Sequence, residues 1–184
     1  GSNNTAVGKD ALRVNTTGSR NIAVGTGALD APDTENDNLA IGYDALGGSI
    51  AGAEFNVAIG NYAMDATTTG DVNVAIGYRA LSANTTGGYN TAVGKDAMLL
   101  NTEGLLNTAV GYQALSANTT GARNIAMGYR ALDGPDTESD NLAIGYDALG
   151  GSIAGGEYNV AIGNYSLDAL TSGDKNTGVG YNAL

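Results

Sequence analysis

The sequence predicts an all-β fold, a parallel β-solenoid (β-roll) of about 11 rungs with a 17-residue repeat, forming one domain over residues 1–184. Three observations predict it. The pentapeptide Asn-Thr-Ala-Val-Gly at Asn4–Gly8 recurs, with small changes, from starts at Asn21, Asn38, Asn56, Asn73, Asn90, Asn107, Asn124, Asn141, Asn159 and Asn176. Successive starts lie 17 residues apart, with two spacings of 18. A period that strict marks units that bury their apolar faces only by stacking on one another. Within each unit, apolar residues alternate with a tiny one, which is the pattern of a short strand.

The starting asparagine is position one of the repeat. Position two is Thr, Ile, Leu or Val, position three is Ala except for Gly178, and position four is Val or Ile except for Met127. Side chains at two and four point to one face and the Ala to the other. The expectation is that two and four face the core, with Val7, Val24 and Ile41 beginning one continuous column. Position five is Gly in every copy, from Gly8 to Gly180, and marks a corner. Positions eight and nine read Ala-Leu, with Ser166, Met64 and Met98 as the exceptions, and Leu12, Leu29 and Leu46 begin a second core column. Each buried Val, Ile or Leu contributes roughly 1.5–3 kcal/mol. Asn-Thr-Thr-Gly, as at Asn15–Gly18, Asn84–Gly87 and Asn118–Gly121, is turn chemistry and closes the unit. Gly and Asn recur too often for a helix.

A stack of identical asparagines predicts a ladder through Asn21, Asn38, Asn56, Asn73, Asn90, Asn107, Asn124, Asn141 and Asn159, amide to amide or amide to corner backbone. Over the rungs lies a longer duplication: Asp37–Gly52 recurs unchanged at Asp140–Gly155. Both 18-residue units carry Gly-Gly-Ser-Ile-Ala-Gly in the spacer, so the extra residue is expected in a turn.

Composition narrows the function. A net charge of −11 argues against nucleic acid or an anionic membrane surface as partner. No apolar run reaches the ~20 residues of a membrane-spanning helix. The chain begins and ends on repeat chemistry, as a piece of a longer array would. Catalysis is not expected, because the sequence has no His or Cys and no glycine-rich fingerprint between a strand and a helix.

Three polar or aromatic groups are candidates for function. The acidic spacers place Asp33, Glu35 and Asp37, repeated as Asp136, Glu138 and Asp140, near Pro32 and Pro135. Hard cations such as calcium take several carboxylate oxygens on a loop, so these six are the metal candidates, against the alternative of a solvated acidic turn with no cofactor. Tyr43, Tyr78, Tyr112, Tyr129, Tyr146 and Tyr181 recur at position six, with Tyr62 and Tyr165 one place later. They offer a strip for adhesion or an interface, against the alternative that they cover the rung below. Thr pairs such as Thr16-Thr17, Thr68-Thr69, Thr85-Thr86 and Thr119-Thr120 suggest an ice-binding array, but acidic and apolar rungs interrupt it.

Asn56-Val57-Ala58-Ile59-Gly60 and Asn159-Val160-Ala161-Ile162-Gly163 resemble the head repeat of trimeric autotransporter adhesins. The full unit from Asn107 to Gly121 looks like the repeats of large bacterial surface proteins and phage tail-fibre-like proteins. The family's head repeat is shorter and carries a Ser between Asn and Val that is missing here. The resemblance implies a left-handed roll and a side-by-side trimer, with the position-three Ala (Ala6, Ala23, Ala40) where chains meet. It implies an extracellular protein of a cell surface or virion, and host glycan or matrix protein as partner. The expected function is therefore a non-enzymatic structural or adhesive segment of an extracellular fibre. The alternative is a homopolymer stacking end to end through uncapped terminal rungs.

Overall fold

The computed structural model describes residues 1–31, 34–134, 137–151 and 155–184. Each repeat contributes one three-residue strand: β1 Thr5–Val7, β2 Ile22–Val24, β3 Leu39–Ile41, β4 Val57–Ile59, β5 Val74–Ile76, β6 Thr91–Val93, β7 Thr108–Val110, β8 Ile125–Met127, β9 Leu142–Ile144, β10 Val160–Ile162 and β11 Thr177–Val179. They form one parallel 11-stranded sheet in strict sequence order. Register places like on like: Ala75 pairs Ala92, and Val74 pairs Thr91. The wider units keep it, since Leu39 still pairs Val57. Stacking at the usual inter-strand spacing of ~4.8 Å gives a rod on the order of 50 Å long.

The strand is inverted relative to the sequence expectation. Ala23, Ala40, Ala58, Ala75, Ala92, Ala109, Ala126, Ala143 and Ala161 are completely buried inside the coil. Positions two and four face out: Ile22, Ile41, Ile76, Ile125, Met127, Ile144 and Ile162 are all exposed. The Ala column is thus core, not the contact between chains, and Val7, Val24 and Ile41 are not core. The reason is size. A 17-residue coil closes on a narrow interior, which the inward Ala shares with the position-eight Ala and position-nine Leu. Ala28, Leu29, Ala45, Leu46, Ala80 and Leu81 are completely buried, as are Met64 and Met98. A β-branched side chain at position three would overfill that space.

The asparagine ladder forms, with backbone as its main partner. The Oδ1 of each asparagine accepts the N–H of the next: Asn38 to Asn21, Asn73 to Asn56 and Asn107 to Asn90 are all 2.9 Å. Its Nδ2 donates to a carbonyl near the end of its own coil, as Asn56 does to Gly70 at 2.9 Å and Asn124 to Glu138 at 2.7 Å. One side chain therefore extends the sheet by one residue and also ties the start of a coil to its end. Both bonds are buried, where leaving either group unpaired would cost ~1–3 kcal/mol.

A second asparagine column lies in the spacer. Asn101 Nδ2 donates to Asn84 Oδ1 at 2.9 Å, and Asn118 Nδ2 to Asn101 Oδ1 at 2.7 Å. All three residues are buried. Asn84 and Asn118, read from the sequence as turn formers, are core, and Asn101 between them is too.

The corner glycines are compulsory. Gly42 has φ +139°, and a Cβ there would fall 2.6 Å from the backbone C and O of Gly60 in the next coil. Non-glycine residues also adopt left-handed backbone up to three times per coil, as at Arg79 (φ 55°), Leu81 (φ 52°) and Tyr89 (φ 59°). Such residues carry local strain of order 1–3 kcal/mol, held by the surrounding structure. Here inter-coil backbone bonds hold them, for example Leu81 N–H to Ala97 O at 3.0 Å and Tyr89 N–H to Asp71 O at 3.0 Å.

Candidate interaction surface

Turning Ala inward leaves an apolar ribbon outside. Two parallel columns, positions two and four, run along all 11 strands and contain only Val, Ile, Leu, Thr and Met. No charged residue occurs at either position in a chain of net charge −11. Closed coils leave no lateral sheet edge, so this face is available for side-chain packing, not strand addition. From the strand spacing and the reach of two side-chain columns its area is on the order of 700 Å², close to the ~800 Å² per partner of stable protein interfaces. Sequence reasoning missed the ribbon because alternation defines two faces without saying which one is inside.

Beyond the glycine corner the tyrosines form a column. Tyr43–Tyr62 and Tyr62–Tyr78 meet edge to face, with ring centroids 5.3 and 6.1 Å apart. Tyr112–Tyr129 and Tyr129–Tyr146 stack at 5.1 and 4.9 Å, with interplanar angles of 21° and 3°. Tyr146–Tyr165 and Tyr165–Tyr181 continue the column at 5.2 and 6.0 Å. Lys95 bridges its halves, its Nζ 5.9 Å from the Tyr78 ring and 5.4 Å from the Tyr112 ring. All six position-six tyrosines singled out from the sequence are therefore in one column. In its stacked part the rings turn their faces to one another and present edges to solvent. A sugar ring packs on an aromatic face, so this part is poorly shaped for glycan stacking.

The acidic loops are engaged internally. Arg20 grips Asp37 through two hydrogen bonds of 2.6 Å, and Arg123 grips Asp140 through two of 2.7 Å. These hydrogen bonds hold the Asp37 and Asp140 carboxyls below the ordinary carboxylate range. Glu35 accepts the N–H of Thr34 at 2.9 Å and of Gly52 at 2.8 Å. Glu138 accepts those of Thr137 at 3.0 Å and Gly155 at 2.7 Å. Each glutamate thus ties the acidic loop to the wide spacer of the following coil. That gives a physical reason for the acidic unit preceding the 18-residue unit both times. Asp33 and Asp136 lie outside the described residues. Among the described residues, no group of three His, Cys, Asp or Glu side chains is placed to hold a metal.

The Thr pairs split between two environments. Thr68, Thr85 and Thr102 each donate the hydroxyl to a carbonyl of the next coil at 3.0–3.1 Å, while Thr69 and Thr86 face solvent. A shallow cleft of about 220 Å³ lies beside the second wide coil, lined by Arg130, Asp147, Gly150, Gly151, Tyr165 and Asp168. Its cation is already committed, since Arg130 Nε donates to Asp133 at 2.6 Å. Burial pushes the Asp133 carboxyl up, against the opposing pull of Arg130.

No protein-family model, no curated protein and no solved structure matches this chain.

Proposed function

We propose that this chain is a non-enzymatic structural segment of an extracellular fibre, a rod that packs side by side against copies of itself through its Val/Ile ribbon. The observation that carries the reading is the outward ribbon, uncharged along its whole length in a strongly acidic chain. Identical acidic rods repel one another over most of their surface. They can approach where charge is absent and apolar area is regular. A flat two-column ribbon is self-complementary along the rod, and its estimated area suits a stable interface. Three copies around a common axis is the arrangement that the adhesin-head resemblance implies, with the meeting surface moved from Ala to Val and Ile. Placement on a cell surface or virion rests on the same resemblance. The coil-to-coil backbone bonds along the sheet and corners suit a load-bearing spacer.

Sedimentation equilibrium of the purified chain tests this. The expected mass is a small multiple of 18.4 kDa, and three copies is the leading value. The double variant Ile59→Lys/Ile76→Lys should sediment as a folded monomer. A wild-type monomer at high concentration would refute lateral packing. Electron micrographs of indefinite threads that survive the double substitution would favour end-to-end stacking instead.

A further inference from the structure

We propose that Tyr112, Tyr129 and Tyr146 form an oxidative cross-linking site, where a peroxidase-type oxidant joins adjacent coils through dityrosine. The inference does not depend on lateral packing of the ribbon. The three rings are consecutive in the column, at 5.1 and 4.9 Å, and within 21° of parallel. Backbone bonds one residue along hold their spacing: Arg130 N–H to Tyr112 O at 2.9 Å and Asp147 N–H to Tyr129 O at 3.0 Å. Tyr129 and Tyr146 are 43% and 40% exposed, so an oxidant reaches them. Competing sinks are scarce. The sequence has no Cys, Trp or His, and two of its three methionines, Met64 and Met98, are completely buried.

The chemistry needs two electrons. Each of two phenols loses one electron and its hydroxyl proton, giving two phenoxyl radicals. A carbon–carbon bond then forms between ring positions ortho to the oxygens. The two displaced ring hydrogens move as protons to the oxygens, restoring both phenols. Two electrons and two protons have left the protein, and they reduce one hydrogen peroxide to two waters. Desolvation, followed by the neighbouring Asp147 charge, pushes the Tyr146 phenol above its ordinary range. It therefore enters the reaction as the neutral phenol, and proton loss accompanies oxidation. The product is a covalent staple between coils 17 residues apart in sequence. Such a link restricts the unfolded chain, as a disulfide of the same loop length does.

Tyr89 and Tyr158 provide an internal control. They are more exposed, at 62% and 53%, and stand outside the ring contacts of the column. If accessibility governs, Tyr181, 77% exposed at the end of the column, reacts first together with these two, and the links join separate molecules. If ring geometry governs, the stacked three react within one chain.

The test treats dilute full-length protein with a haem peroxidase and hydrogen peroxide, then maps cross-linked peptides by mass. The expected result is dityrosine fluorescence in a band of unchanged size on a denaturing gel. The linked peptides, lighter by two hydrogens, should join Tyr129 to Tyr112 or Tyr146. Tyr129→Phe keeps the ring and the fold but removes the phenol shared by both stacked pairs, so most of the fluorescence should be lost. The double variant Tyr89→Phe/Tyr158→Phe should leave it unchanged. Covalent dimers as the main product, links mapping to Tyr89 or Tyr158, or full fluorescence in Tyr129→Phe would each overturn the proposal.

Discussion

Ala75 and Ile76 are adjacent in β5, yet they meet opposite conditions. Ala75 is completely buried against the Ala and Leu columns, whereas Ile76 is 38% exposed on the outer ribbon. The smaller residue is inside and the larger outside, the reverse of a common globular strand. The difference shows what a narrow coil demands. Its interior is limited by volume, so the hydrophobic effect there is carried by one Leu and two Ala per coil. The larger apolar residues do not fit there and stand on the outer face. Inner face and outer ribbon thus differ in role: the first holds the coil together, and the second is the surface that the proposed side-by-side packing would use.

Substitutions on the two faces should therefore separate folding from association, with the inner face giving the larger effects. Asn56→Ala removes the acceptor of the Asn73 N–H and a donor to the Gly70 carbonyl, both 2.9 Å bonds. At ~1–3 kcal/mol for each buried group left unpaired, urea unfolding should show a loss of about 2–6 kcal/mol. Asn56→Asp keeps Oδ1 but turns a carboxylate oxygen toward the Gly70 carbonyl at a completely buried site, and should lose at least as much. Leu81→Ala opens a cavity next to completely buried Ala80 and Ala97 and should cost about 2–5 kcal/mol. On the outer face, Ile144→Ala, at the same repeat position as Ile76, should cost less than ~1 kcal/mol in the monomeric ribbon background, while in the wild-type background it should weaken assembly. If Ile144→Ala destabilises the monomer as much as Leu81→Ala does, the division between faces fails.

The smallest effect is expected from the exposed ion pairs, and it has a defined sign. Asp37 has a depressed carboxyl pKa in the folded chain because Arg20 hydrogen-bonds it. Its contribution is present above the ordinary value of 3.8 and is lost as pH falls through the lowered one. Asp65 runs the other way. Burial raises its pKa, so its contribution declines as pH rises from 3.8 through the raised value. Arg20→Met should flatten the acid limb of a stability–pH curve, whereas Asp65→Asn should flatten the part just above it. A steeper acid limb in Arg20→Met would contradict the pairing.

Much of this was legible in the sequence, and the limits have physical causes. The period, the parallel like-on-like register, the Leu column and the ladder of position-one asparagines all follow from residues that repeat without exception or nearly so. The direction of the strand does not follow from alternation, because Val-Ala-Ile reads the same from either side. Coil circumference decides it, and in retrospect the invariance of the tiny residue was the sign: small size is enforced where space is short. Asn84, Asn101 and Asn118 were hidden by their neighbours, since Asn-Thr-Thr-Gly, or Asn-Thr-Glu-Gly at Asn101, fits a solvent turn as well as a buried column. Left-handed backbone at Leu29, Leu46 and Leu81 has no signal in residue type. The Glu35 and Glu138 contacts join segments 17 residues apart, and no residue pattern within either unit marks them.

The most direct test places one residue type at two neighbouring positions. Thr already occupies position two in four coils, at Thr5, Thr91, Thr108 and Thr177, and position three in none. Val74→Thr and Ala75→Thr, each unfolded in urea in the monomeric ribbon background, compare the faces with the same side chain. The account predicts that Val74→Thr stays within about 0.5 kcal/mol of its parent. Ala75→Thr should lose about 1–3 kcal/mol to overpacking, and about as much again for a buried unpaired hydroxyl. A Val74→Thr chain less stable than Ala75→Thr would place positions two and four in the core and contradict the account.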